Sequence, residues 1–201
     1  MEKLGILGGT FDPVHLGHII IAQDLREKLK LDKVVFIPAR CAPHKRRKKS
    51  APPAHRLAML RAALKGYEGL AVSDIEIRRR GASYTIDTIR RIADTGARIT
   101  FFTGSDSIEY LPKWREIDAI VKECGFILMK RPGFDLEKLE EIKGELRPAT
   151  FRAIKKSAIN IRRIEISSTE IRRRIRRGQD ISHLVPSSVA GYISAKRLYK
   201  T

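Results

Sequence analysis

Between Gly8 and His18 the chain reads GGTFDPVHLGH, and these residues are suited to holding phosphate. His15 and His18 stand three apart at the start of a helical pattern. That spacing places both rings on one face, beside free backbone N–H groups and the positive end of the helix dipole. Gly8 and Gly9 permit backbone conformations and close ligand approach that a side chain would block, while Pro13 holds its own φ and biases Asp12 toward an extended form. The same spacing also fits two surface histidines that open a helix. Zinc fits less well, because the spacing is not the i, i+4 of HExxH and no third ligand follows.

A second cluster, Ile166 to Arg172 (ISSTEIR), follows a short apolar run and opens a basic helix. With Ser167 as N-cap, Glu170 is the third helical residue and completes a capping box, so a well-capped helix explains the segment. The same geometry also makes an anion site from free N–H groups, the hydroxyls of Ser168 and Thr169, and the Arg172 cation.

The elements that must position these clusters follow from periodicity. Lys3 to Leu7 is a strand-like run ending at the glycines; Leu16 to Lys30 is helical, with Ile21, Leu25 and Leu29 every four residues; Lys33 to Pro38 is a buried strand. A Pro-rich basic loop, Ala39 to Pro53, precedes a helix from Ala54 to Lys65. Strands are expected at Leu70 to Ile77, Ile99 to Thr103 and Phe126 to Lys130, and helices at Thr85 to Asp94 and Lys113 to Lys122. Strands alternating with helices imply a Rossmann-like α/β fold, an open parallel sheet with helices on both faces. Ligands of such sheets bind beyond the strand carboxyl ends, where the glycines lie. Past Gly133 the pattern is mostly helical: Leu136 to Leu146, Thr169 to Arg177 and Ser187 to Tyr199, with one short strand at Ile161 to Ile166. One domain over 1–201 is expected, with 161–201 a helical portion carrying ISSTEIR.

Composition sets limits. A chain of 201 residues that is 42% hydrophobic can bury a core. No stretch nears the roughly 20 apolar residues of a membrane span, and no signal peptide is recognisable, so the expected location is the cytoplasm with no membrane partner. Cys41 and Cys124 stand alone, which suggests neither disulfide nor structural metal. There are 41 Lys and Arg against 23 Asp and Glu, a net +18 that attracts polyanions. The basic runs Lys45 to Lys49, Arg78 to Arg80 and Arg172 to Arg177 could bind nucleic acid, collect nucleotide phosphates, or form a solvated face. Oligomeric state is left open.

GGTFDPVHLGH resembles the HxGH signature of the adenylyltransferase and cytidylyltransferase superfamily, and ISSTEIR resembles its ISSTxIR motif, in the same order and about 150 residues apart. The resemblance implies that His15 and His18 bind the triphosphate and steady its charge during transfer, with Ser167, Ser168, Thr169 and Arg172 gripping phosphates opposite. Gly8, Gly9, Thr10, Phe11 and Gly17 would line the ATP site.

The rest of the chain is similar to bacterial nicotinate-nucleotide adenylyltransferases in PHK (Pro43 to Lys45), RLAML (Arg56 to Leu60), GASYTIDT (Gly81 to Thr88), GSD (Gly104 to Asp106), LPKW (Leu111 to Trp114), RPG (Arg131 to Gly133) and LVPSSVAGYI (Leu184 to Ile193). That likeness implies transfer of the adenylyl group of ATP to nicotinate mononucleotide. Trp114 would stack on the pyridine ring. The backbone around Thr85, with residues beside Trp114, would meet the carboxylate, and Tyr84 and His44 would bind the same nucleotide; Arg115 could reach a substrate carboxylate or phosphate directly. Lys45 would neutralise phosphate charge. Asp106 would bond a ribose or a metal-bound water, or cap a helix. Mg²⁺ would arrive with ATP, since no carboxylate cluster forms a dedicated metal cage.

Departures from the family pattern are Cys41 and Ala42 before Pro43, Ser105 within GSD, and Arg115; they bear on substrate preference. A related enzyme using nicotinamide mononucleotide is an alternative that substrate competition would settle; Trp114 and the SYT segment argue against phosphopantetheine, and an RNA-binding protein on the same fold would leave both phosphate motifs unused. No nucleic-acid partner is required by them.

Overall fold

The computed structural model describes residues 1–41, 50–79, 81–130 and 137–200. Six strands, β1 (Lys3–Gly9), β2 (Lys33–Pro38), β3 (Leu70–Val72), β4 (Arg98–Gly104), β5 (Gly125–Lys130) and β6 (Ala158–Asn160), form one sheet in the order β3-β2-β1-β4-β5-β6. Every pairing is parallel. The chain walks outward from β1 to β3, then returns to the other side of β1 at β4. The order therefore reverses between β1 and β4, and a crevice opens there beyond the strand carboxyl ends.

Strand side chains alternate between two cores. Leu7, Phe36, Phe102 and Met129 face one, Ile6, Ile37, Phe101 and Leu128 the other. On the first face lie α1 (Leu16–Lys28), α2 (Pro53–Leu64), α8 (Ser168–Arg176) and α9 (Ser187–Ala195), contributing Ile19, Met59, Ile171 and Val189. The second is covered by α4 (Thr85–Ala93), α5 (Ile117–Glu123), α6 (Glu137–Glu141) and α7 (Pro148–Lys156) through Ile86, Ile120, Leu139 and Ile154. The fold is the expected Rossmann-like one, with helices on both faces. Among the described residues no helix is long and apolar enough to cross a membrane.

Several expected elements need correction. The strand expected at Leu70 to Ile77 stops at Val72, because Ser73 and Asp74 turn the chain into a short helix, α3 (Ile75–Arg78). Ser73 Oγ accepts the Ile75 N–H at 3.4 Å, the local bonding by which serine competes with a strand. The helix expected from Lys113 begins at Ile117; before it a 3₁₀ stretch covers Ser105–Lys113, and Glu116 is left-handed at φ 53°. The helix expected from Leu136 to Leu146 divides into α6 and a 3₁₀ turn at Lys143–Glu145. Helix α7, opened by Pro148 at its first position, has no counterpart in the sequence reading. The strand expected at Ile161 to Ile166 lies earlier: β5 pairs through Lys130 with Asn160, and 161–167 continue without strand structure. Helix α9 ends at Ala195, four residues before Tyr199.

Candidate active site

The histidine loop sits at the carboxyl end of β1, at the topological switch. His15 is the N-cap residue of α1 in extended backbone (φ −143°, ψ 168°) and is buried, while His18 is partly exposed one turn on. Their rings stack with centroids 3.7 Å apart and 28° between planes. The His15 N–H donates to His18 Nδ1 at 3.3 Å. With Nδ1 accepting, the neutral His18 ring carries its proton on Nε2, which makes it a donor. Phe11, buried at φ 50°, meets the His18 ring edge-on at 5.1 Å. A bulky residue in that backbone region is rare and marks a constrained site.

Helix N–H groups contribute less here than the sequence suggested. Leu16 N–H bonds Leu184 O at 3.0 Å, and His18 N–H bonds His15 O at 3.0 Å. Together with the His15 N–H, three donors at this helix start are used within the protein.

Helix α8 docks directly on this loop. Ser167 caps it as expected, its Oγ accepting the Glu170 N–H at 3.2 Å, while the Glu170 carboxylate turns to Arg173 at 2.6 Å. Ser168 Oγ donates to Pro13 O at 2.8 Å, and Arg172 Nη1 donates to Asp12 O at 2.6 Å. Arg172 Nη2 also reaches Thr169 Oγ1 at 3.3 Å. Two motifs about 150 residues apart in sequence are thus one surface.

Beneath that surface lies an organiser that sequence reasoning missed. Arg56, 1% exposed, donates to the carbonyls of Ala51 (3.0 Å), Thr10 (2.7 Å), Ala39 (2.7 Å) and Arg40 (3.4 Å). It ties the β1 loop to residues on both sides of 42–49. Burial lowers its pKa below the ordinary arginine value, and the Asp12 charge opposes that fall. Asp12, 5% exposed, accepts on Oδ1 from Ala51 N–H (3.0 Å) and the Tyr199 hydroxyl (2.7 Å). Arg56 appeared in the sequence only as the first letter of RLAML, and Tyr199 as a helix end; neither carries a local signal of these contacts.

The residues expected to hold the acceptor lie around the carboxyl end of β4 and the start of α4. Trp114, half-buried, meets Phe101 edge-on at 5.9 Å, and a β-carbon on Gly8 would stand 3.8 Å from that same Phe101 ring. Tyr84 is the N-cap residue of α4 and Thr85 its first residue; the Arg115 guanidinium lies 5.1 Å from the Tyr84 ring centre. Ser83 joins this loop to the residues just after β2, its N–H donating to Cys41 O (3.1 Å) and its Oγ accepting the Arg40 N–H (3.0 Å). Below it Glu76, buried, accepts from Thr88 Oγ1 at 2.7 Å, and Arg79 donates to Tyr84 O at 3.2 Å. Asp106 is exposed in the first 3₁₀ turn and is not a cap, since Gly104 holds the cap position. Its carboxylate folds over Gly104, where a β-carbon would collide with it. His44 and Lys45 lie outside the described residues, as does the RPG match at Arg131 to Gly133.

The sequence matches the cytidylyltransferase-like family over residues 6–174. A protein of Bacillus licheniformis named a probable nicotinate-nucleotide adenylyltransferase is 38% identical across 100% of both chains. One of the same name from Thermomicrobium roseum is 40% identical over 100% of this chain and 93% of its own. Among solved structures, Plasmodium falciparum nicotinic acid mononucleotide adenylyltransferase complexed with NaAD superposes with a TM-score of 0.77 over 99% of this chain and 98% of its own. Sequence identity to it is 21%, so that likeness is one of fold.

Proposed function

The chain belongs to the cytidylyltransferase-like family, among its nicotinate-nucleotide adenylyltransferases, and we infer that its two joined phosphate motifs act on ATP directly. The enzyme transfers the adenylyl group of ATP to nicotinate mononucleotide, forming nicotinate adenine dinucleotide and pyrophosphate in NAD biosynthesis. The observation that supports this site most strongly is the docking of Arg172 and Ser168 on the loop that carries the histidines.

In the proposed step an oxygen of the mononucleotide 5′-phosphate attacks the α-phosphorus of ATP. A new P–O bond forms, the bond to the bridging oxygen breaks, and pyrophosphate leaves with the electron pair. No side chain is a nucleophile; the protein holds two anions in line and offsets their charge. His18 offers Nε2–H to the triphosphate beside His15, and Arg172 and Lys45 add positive charge. Gly8, Gly9, Thr10, Phe11 and Gly17 let ATP approach the backbone, with Ser167 and Thr169 exposed at the start of α8 for further phosphate contacts. Trp114 faces the pyridinium as an electron-rich partner. Tyr84, Thr85 and Arg115 receive the carboxylate, and the imidazole of His44 is assigned to binding the same nucleotide.

Mg²⁺ enters on the triphosphate as part of the substrate and neutralises its charge. The exposed Asp106 carboxylate is a suitable oxygen partner for a hydrated ion or a ribose hydroxyl. Both substrates are water-soluble nucleotides, which fits action in the cytoplasm.

Pyrophosphate release from ATP and Mg²⁺ tests the reading, with nicotinate mononucleotide run against nicotinamide mononucleotide and a His18→Ala control. Fast release with the acid, slow release with the amide and loss in the control are expected. Equal rates with both would remove the acid preference, and no release from folded protein would remove the activity.

A further inference from the structure

Tyr199 stands 187 residues beyond Asp12, yet its hydroxyl bonds Asp12 Oδ1 at 2.7 Å. That carboxylate is buried beside the histidine loop, and its other oxygen, Oδ2, lies 3.7 Å from Arg172 Nη1. Ala51 N–H shares Oδ1 with the phenol at 3.0 Å. None of the transfer chemistry above uses Tyr199, and neither phosphate motif contains it.

The tail is placed specifically. Arg197 and Tyr199 hold φ values of 52° and 64°, a region that side-chain-bearing residues occupy where their surroundings demand it. Leu198 N–H bonds Ile193 O at 3.0 Å, and both Leu198 and Tyr199 pack on the first core. Burial, reinforced by the Asp12 charge, pushes the Tyr199 phenol above its ordinary pKa, so it remains a donor across working pH.

With Oδ1 occupied by two donors, the carboxylate is held in one rotation. Arg172 then keeps a loose 3.7 Å approach to Oδ2 while its Nη1 bonds the Asp12 carbonyl at 2.6 Å. A carboxylate released by Tyr199 could turn toward Arg172 and form a closer charge-assisted pair, holding the guanidinium inside the protein.

We propose that Tyr199 is a positioning residue for adenylyl transfer, which acts by fixing the Asp12 carboxylate so that Arg172 stays available to the triphosphate. This rests on the assignment of Arg172 to phosphate binding. The C-terminal tail is then part of the ATP site, although it touches no substrate itself.

A double-mutant cycle in the full chain tests this with Tyr199→Phe, Arg172→Ala and the combination, each assayed for kcat, both KM values and melting temperature. Phenylalanine keeps the ring packing and removes only the hydroxyl. Tyr199→Phe is expected to lower kcat/KM for ATP about tenfold, the scale of one lost hydrogen bond to a charged group, with KM for nicotinate mononucleotide unmoved. In the Arg172→Ala background the same change should cost nothing further, because the two act as one unit. Losses that multiply would overturn the proposal while leaving the role of Arg172 intact. Full activity in Arg172→Ala would overturn both. A Tyr199→Phe protein that melts lower but keeps its rates would show the contact to be structural only, and the proposal would fall.

Discussion

Gly17 lies so close to His15 that a β-carbon on it would stand 3.1 Å from the imidazole Nδ1 and 2.8 Å from Cγ2 of Ile164. The glycine between the histidines is therefore a steric requirement, set from one side by the ring and from the other by the segment after β6. Gly17→Ala must displace one of them. A misplacement of about 1 Å at a charge-stabilising group costs on the order of 100-fold in rate, and the smaller shift needed here should lower kcat by up to about tenfold. Melting temperature should change little, and a crystal structure of the variant should show the His15 ring moved. Wild-type kcat in a variant whose His15 ring has moved would count against His15 as a phosphate-handling residue.

Arg56→Met should be far more damaging to the fold. The substitution leaves four carbonyl oxygens without their donor and removes a positive charge near buried Asp12. Breaking a buried charged network of this kind costs about 3–5 kcal/mol. Urea unfolding should show that loss, and Arg56→Lys should recover only part of it, because an ammonium cannot span four acceptors in a fixed fork.

Glu76 gives a pH-dependent prediction. Burial raises its pKa above the ordinary glutamate value, against the opposing pull of Thr88, Ser83 and Arg79. Between the ordinary and the raised value the folded state keeps a proton that the unfolded chain has released, so this group's contribution to stability falls as pH rises through that window. Glu76→Gln has no such proton. The unfolding free energy of wild type minus variant, measured in urea at a series of pH values, should decline as pH rises from the ordinary glutamate range. A difference that grows with pH would mean that Arg79 and Thr88 outweigh burial.

Trp114 is proposed as the flat partner of the acceptor ring. Replacing it with alanine removes a stacking surface worth about 1–3 kcal/mol, so KM for nicotinate mononucleotide should rise about 10- to 100-fold while KM for ATP holds. Trp114→Phe should keep most of the affinity. Parallel rises in both KM values would indicate a general loosening of the crevice.

What the sequence disclosed was what local pattern can carry. Strand runs such as Lys33–Pro38 and helices such as Thr85–Ala93 fall within two residues of their expected bounds, because burial on two faces and a 3.6-residue period are written in the side chains themselves. The Ser167 cap was legible for the same reason. Errors came where a local signal pointed two ways. Ile75 and Ile77 continue a strand alternation that Ser73 and Asp74 interrupt, and Pro148 reads as a breaker although proline suits a first helical position. Ile161 to Ile166 looks more strand-like than Ala158–Asn160, but register with β5 decides which residues pair. Arg56 and Tyr199 were not readable at all as site residues. Their partners lie up to 187 positions away, and nothing in their immediate neighbours records the meeting.

The reversal of strand order between β1 and β4 has a consequence for how the enzyme comes into being. The histidine loop is made first, but the helix that closes over it begins at Ser168, and Tyr199 follows later still. Contacts so distant in sequence form slowly, since a long loop must close before they stabilise anything. A growing chain can therefore carry its histidines and much of its sheet through most of synthesis without these contacts. Only once residues through Tyr199 have been made can Ser168, Arg172 and the tyrosine join the loop after β1, so that surface is completed by contacts 155 to 187 residues apart.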